Sequence, residues 1–485
     1  MGDDALHKEA RLARLTAALS ARGIDDLGPG ELRALKAWME GRPAQLGDQR
    51  LPDAPTPQNR LRAPFVAWLV QQSNDPDAHP LNRIHLIGGW IEGPIDLAGQ
   101  KVRVNLVFQR CRFSSNLVIS DAVTGAMDFT GSALGVDPYR NTSIDARHLR
   151  ASGDLRLRDM TTEGGVALAG AEIRGDLDLS GSRFGKRRAS FHGYEFDVSV
   201  GAPAARVSGA LTMLRPPPSG EMFSGVLNLH NAEVDVLQDV EACWPAPGNL
   251  FLNGFRYRLL GSIKAGAADA GRRGRWVRLQ PAQDLRVDFK PQPFEQLARV
   301  LRQNGYALEA RRIGVLHQRM LRWAGKVPLY LRPFHWLFGA VAGYGYWTSR
   351  VLLWAALVVA LGAAVFEGAW RGGAFTPAQA EALLSASWAE CLETAPIQTA
   401  QCFLQSSPSD DYEPFNAAFY ALDVFLPVVE LEQEAAWSPT PRRGEAWIGA
   451  TSGYWAWVYR FVHELLGYVL TGFAVLGFAR LAERD

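Results

Sequence analysis

The chain has 485 residues, 47% hydrophobic and 21% charged, with a net charge of +1 at pH 7. That length predicts two or three domains, and the averages, ordinary for a soluble protein, hide a split: residues 1–345 read as soluble and the rest as membrane-bound. The start, MGDDALHKEARLARL, lacks a basic stretch leading into an apolar run, so no secretory signal is expected, and Leu6 stands where a myristoylation signal needs Ser or Thr.

Residues 1–80 read as an N-terminal helical segment. Leucines at helical spacing mark 5–20 and 30–40, and 61–72 is a third helix. The Pro-rich polar stretch before the third reads as a linker.

Residues 84–265 carry a repeat: a small residue, any residue, an apolar one, any residue, an apolar one, then a turn. The apolar pairs are Ile95/Leu97, Leu106/Phe108, Leu117/Ile119, Met127/Phe129, Ile144/Ala146, Leu155/Leu157, Val166/Leu168 and Leu177/Leu179. They step by 11, 11, 10, 17, 11, 11 and 11 residues, and the step of 17 holds GVDPYRNT, a loop insertion. Looser copies follow at Leu211/Met213, Leu227/Leu229 and Leu250/Leu252. Alternation over so few residues is a short strand. One such strand cannot bury its apolar side, but stacked copies can, which is the logic of a solenoid. Two 11-residue units make one coil of a four-sided β-helix, with Gly at corners that need positive φ. A β-sandwich of short strands has no reason to keep so constant a period.

The runs ASGDLRLRDM and IRGDLDLSGSRF resemble the solenoid repeats of pentapeptide-repeat-like bacterial membrane proteins. With the C-terminal part included, the resemblance covers roughly residues 84–480 and implies a right-handed, four-sided β-solenoid in a bacterial inner-membrane protein. The units step by 11 rather than by 5 or 10. Between 84 and 265 there are nineteen basic and nineteen acidic residues, so the solenoid is no acidic imitation of DNA and no nucleic-acid partner is expected. The GRRGRW run at Arg272, Arg273 and Arg275 reads as a solvated loop or a lipid-headgroup contact.

Residues 281–346 switch to helical period. Phe294, Leu297, Val300 and Leu301 mark one helix, stopped at Asn304-Gly305, and Ala307 to Leu321 mark another. The aromatic stretch that follows, broken at Pro328 and Pro333, reads as a helix lying at the inner membrane interface. Together they form an α-helical connector.

Residues 347–485 are expected to form a two-helix transmembrane domain. The runs 351–366 and 465–478 carry no charge; Trp347 and Trp370 flank the first, and the second ends a helical stretch that starts near Trp455. With those flanks each meets the ~20-residue span of a bilayer. Basic residues crowd before the first span (Arg311, Arg312, Arg319, Arg322, Lys326, Arg332, Arg350), whereas 367–452 carry twelve acids and three arginines. The positive-inside rule then puts both termini in the cytoplasm of a multi-pass protein of the inner (plasma) membrane, with the loop 371–452 outside. There a disulfide between Cys391 and Cys402 is permitted; Cys111 and Cys243 stay reduced.

In the loop, PFNAAFYALDVFLPVV (414–429) is apolar, half the length of a span, and followed by ELEQE. It resembles the pore region of two-span ion channels, where an aromatic-rich half helix precedes a filter. The filter position here is 426–430. That family's glycine-rich filter is absent, since no Gly lies between Pro414 and Arg443, so potassium selectivity is not implied. The selecting groups of such a pore would be carboxylate rings from Asp423, Glu430, Glu432 or Glu434. An amphipathic helix on the outer surface with ELEQE merely solvated fits the same residues. In the second span Arg460 and Glu464, four apart, form a candidate intramembrane pair beside His463.

No nucleotide-binding glycine motif, HExxH, paired CxxC or GxSxG occurs, so no cofactor, metal or catalytic residue is assigned. His85, His148, His192, His230 and His317 read as surface or turn histidines. The first expectation is a homo-oligomeric, cation-channel-like protein of the lipid bilayer whose cytoplasmic β-solenoid senses or docks a protein partner. The alternative is a membrane-anchored interaction scaffold without a pore, and an enzyme on the solenoid comes third. Current through planar bilayers separates the first two.

Overall fold

A two-residue strand that turns one side chain inward and the next outward has value only when the next coil repeats it in register. The computed structural model describes residues 2–48, 50–73, 83–191, 194–261, 266–406, 412–447 and 449–482, without the side chains of 2–8, 191, 194, 348, 447 and 477–482. His192 and residues 407–411 lie outside the described residues. The chain divides into two compact units, Met1–Lys326 and Val327–Asp485.

The first unit is a β-solenoid of about eight coils with parallel ladders along its faces. On one face Ile84 pairs with Leu106, Leu106 with Met127, Met127 with Leu155, Leu155 with Leu177, and Leu177 with Leu211. On another Ile95 pairs with Leu117, Leu117 with Ile144, Ile144 with Val166, Val166 with Val200, and on to Leu227 and Leu250. All of these are buried. The periodic apolar pairs of the sequence therefore alternate between two faces, two units to the coil.

Two further faces bring one inward residue each per coil, apolar except for Thr162, and escaped the sequence pattern. Ile91, Phe113, Leu134, Thr162 and Phe184 form one stack, and Ala151, Ile173, Val207, Val234 and Tyr257 another. Corners follow the inward pairs by two residues and take positive φ. Gly fills that place at 99, 131, 170, 181 and 254, but Asp121, Asp159, Asn231 and His148 also adopt it. Short polar side chains tolerate this region better than branched ones, so His148 is a turn residue.

Helices close both ends. Helices α1 (Gly2–Ser20), α2 (Pro29–Met39) and α3 (Ala63–Gln72) precede the coils. The stretch read as a linker supplies strands: Ala44–Gln45 pairs with 86–87, and Arg60–Arg62 with Trp90–Glu92. The N-terminal segment is thus the first layer of the solenoid. Glu31 of α2 is buried and accepts from the Arg62 backbone N–H (3.0 Å), its Nε (2.8 Å) and Nη2 (2.7 Å). Burial alone would raise the Glu31 pKa, but these donors hold it below the ordinary carboxylate value.

At the other end the open edge of the last coil is covered by α4 (Ala270–Val277), α5 (Gln292–Gln303) and α6 (Ala307–Trp323). Amides from α5 and just beyond it take the place of a further strand. Gln292 donates to Phe255 O (3.1 Å) and accepts from Gly254 N (2.8 Å); Gln296 donates to Tyr257 O (2.8 Å) and Asn304 to Arg258 O (3.1 Å). An exposed sheet edge invites pairing with other chains, and this cap removes it. The 281–346 connector is accordingly divided: residues up to 326 belong to the solenoid unit and the remainder to the second. The GRRGRW run is likewise no solvated loop. Arg273 of α4 is fully buried against Asp239, Nη2 to Oδ1 at 2.6 Å and Nη1 to Oδ2 at 2.9 Å.

The second unit holds α7 (Arg332–Ala342), α8 (Thr348–Arg371), α9 (Ala380–Leu383), α10 (Ala386–Thr394), α11 (Thr399–Leu404), α12 (Ala417–Phe425), α13 (Gln433–Ala436) and α14 (Ser452–Ala482). Among the described residues, α8 is the one helix long and apolar enough to cross a membrane, from Ser349 to Arg371. Only 17% of that apolar stretch is buried. Helix α14 is longer; Arg460, His463 and Glu464 lie just before its uncharged run 465–478, whose end reaches residues without described side chains.

Candidate functional site

The second unit is built around Phe366, on the buried side of α8. Its ring meets Tyr420 of α12 (centroids 4.8 Å apart), and Tyr459 (5.5 Å) and His463 (5.7 Å) of α14. Helix α12 therefore lies against both long helices. It starts beside the far end of α8, where Phe415 stacks on Trp370 at 4.3 Å. Asn416 caps it, its Oδ1 accepting from Ala418 N (3.0 Å) and Phe419 N (3.2 Å).

It runs from there to the middle of the two long helices. His463 Nε2 donates to Ala421 O at 2.9 Å, and Tyr459 OH lies 3.3 Å from His463 Nδ1. A carbonyl can only accept, so the bond places a proton on Nε2, and in the neutral ring Nδ1 is then the acceptor. Two glycines make room. A Cβ on Gly362 would stand 2.4 Å from the His463 ring, and one on Gly467 only 2.0 Å from Phe425 O. Such small residues let helix backbones approach closely.

Past Phe425 the chain turns back. Asp423, 8% exposed, accepts from Leu431 N (2.7 Å) and Glu434 N (2.8 Å), so both carboxylate oxygens are engaged in holding the return. Gln433 is buried, bonding Pro414 O (3.0 Å) and Asn416 N (2.9 Å), and Trp437 Nε1 donates to Glu413 O (2.8 Å). Residues 437–439 then pair with 375–377. Between these anchors the tip 428–432 stands out: Val428 is 87% exposed, and Glu432 has φ 63°.

Of the four carboxylates proposed for an ion path, two are spent on the fold. Asp423 caps the returning chain, and Glu434 pairs with Arg460. Glu430 and Glu432 are exposed and form no ion pair among the described residues. The expected partner of Arg460 was Glu464, one turn along α14. The observed partner is Glu434 instead, because Asp423 fixes the Glu434 backbone within reach of Arg460. Cys391 of α10 and Cys402 of α11 are joined as a disulfide. Sequence reading missed Gln433, Trp437 and the two glycines; a lone Gly at helical positions 362 and 467 was the available signal.

Outward surfaces are apolar. Leu352, Leu353, Leu357 and Leu361 of α8 are exposed, as are Phe461, Val462 and Leu465 of α14, and Trp336 of α7. No group of three or more His, Cys, Asp or Glu among the described residues is placed to hold a metal. Comparison with family models, curated proteins and solved structures finds no match to this chain.

Proposed function

We propose that this is an oligomeric, cation-channel-like membrane protein in which α8 and α14 span the bilayer and α12 is a re-entrant half helix. The observation that carries the reading is α12 itself: a nine-residue helix wedged against the middle of two long helices, with a turned-back tip presenting free carboxylates. Irregular backbone at membrane depth is tolerated where protein buries it or where it lines water. The exposed leucines of α8 and α14 would face lipid, which removes the cost of leaving them in water.

Glu430 and Glu432, repeated around a symmetry axis, would form the rings that attract cations. Asp423 and Glu434 would support the tip rather than contact the ion. In this reading both termini are cytoplasmic, the disulfide-bonded loop lies outside, and the β-solenoid senses or docks.

Purified protein in planar bilayers tests it. A cation-selective current is expected, with Glu430→Gln lowering conductance or selectivity. A well-folded oligomer that stays silent would instead favour the membrane-anchored scaffold.

A further inference from the structure

The solenoid breaks its own period on the same face at two places. The first is the loop 135–141, inserted before the strand Thr142–Asp145. The second is an antiparallel hairpin, Arg187–Phe191 against Tyr194–Gly201, whose last residues rejoin the ladder at Val200. Insertions in a repeat array gather on the face that binds.

These two meet over one glycine pair. A Cβ on Gly164 would stand 2.3 Å from Asn141 O of the loop, and one on Gly165 2.6 Å from Val198 O and 2.7 Å from Arg187 Cγ of the hairpin. Only a coil without side chains there can seat both insertions.

Between them opens a cleft of about 540 Å³, within the range of small-molecule sites. Tyr139 and Arg140 line it from the loop, Arg187 and Arg188 from the hairpin, and Asp145 and Arg147 from the floor. Arg147 is committed to Asp145, Nη2 to Oδ2 at 2.7 Å and Nε to Oδ1 at 2.8 Å. Arg140, Arg187 and Arg188 make no ion pair among the described residues, and the Arg187 Nε is buried without a hydrogen-bond partner. Burial and the nearby Arg147 charge both weaken the hold of Arg187 on its proton, against the pull of Asp145. An unpaired buried donor on a cation is costly unless an anion completes it. At the rim the Tyr139 side chain belongs to a residue 94% exposed, free to stack on a planar ring.

We infer that this cleft binds a phosphate-bearing small molecule with a flat ring, of the nucleoside di- or triphosphate class. Arginine forks match phosphate oxygens two at a time. Arg187 takes the phosphate nearest the floor, Arg140 and Arg188 the outer ones, and Tyr139 covers the base. The site lies within the solenoid unit and does not depend on whether the helical unit forms a pore.

Calorimetric titration of the full-length protein in detergent with ATP, and separately with pyrophosphate, tests the inference. Both are expected to bind saturably, with Arg187→Gln weakening each about tenfold or more. Arg187 is partly buried, so Arg140→Gln, on the exposed loop, is the companion variant and is expected to weaken both as well. Tyr139→Ala should weaken ATP while leaving pyrophosphate within about twofold. Absence of saturable binding of either probe at millimolar concentration, or binding that Arg140→Gln leaves unchanged, overturns the proposal.

Discussion

Arg273 and Asp239 are each fully buried, and their pairing is completed by Trp244 Nε1, which donates to Asp239 Oδ2 at 2.7 Å, and by Arg273 Nε, which donates to Ala267 O at 2.7 Å. Removing one partner leaves an uncompensated charge in the core. Arg273→Met is expected to cost about 3–5 kcal/mol in urea unfolding of the solenoid unit, and adding Asp239→Leu should recover much of that loss. His317 makes a different demand. Its ring packs against both Phe289 (6.0 Å) and Phe294 (5.8 Å), which also touch each other (5.6 Å), and burial lowers its pKa from 6.5 despite Glu295 nearby. The folded state thus holds the neutral ring more firmly than the unfolded chain does. Its contribution is intact above pH 6.5 and fades as the pH falls below that value, because the unfolded chain then gains the proton first. Urea midpoints measured on either side of pH 6.5 should fall less steeply in His317→Phe than in the native protein.

At the scale of elements, outward residues on one solenoid face alternate in sign along the ladder: Arg150, Glu172, Arg206, Glu233, Arg256. Opposite charges facing across each strand pair favour this register over a slipped one. The seat of α12 depends on small residues instead. Gly467→Ala should clash with Phe425 O and destabilise the helical unit by about 1–3 kcal/mol in detergent melting. Gly472→Ala on the same helix meets nothing within 4 Å and is expected to change nothing. Equal melting of the two variants would mean that α12 does not lie where described.

Over the whole molecule, the proposed topology makes a labelling prediction. In intact cells, a membrane-impermeant thiol reagent should modify Cys402, the partly exposed member of the pair, after reduction of its disulfide with Cys391. Cys111 and Cys243 should stay silent even in permeabilised cells, since burial pushes both thiols up to about 12. Labelling of Cys402 only after permeabilisation would reverse the proposed orientation, and with it the acidic outer vestibule.

Local periodicity alone determined the solenoid. An apolar residue at every second position, renewed every 11 residues, has no stable home except a stack of coils, so Leu155 and Leu177 were legible as neighbours before any coordinate. The same holds for the apolar stripe of α5 and the uncharged run of α8. Tertiary structure alone decided which long-range partners the polar residues chose. Glu434 reaches Arg460, Asp423 turns back on its own loop, and Arg273 leaves the surface for Asp239, each across an interval no spacing rule covers. It also decided that two interruptions of the repeat meet over Gly164 and Gly165. A repeat shows where its pattern fails, but only the winding of the coils brings those failures together in space.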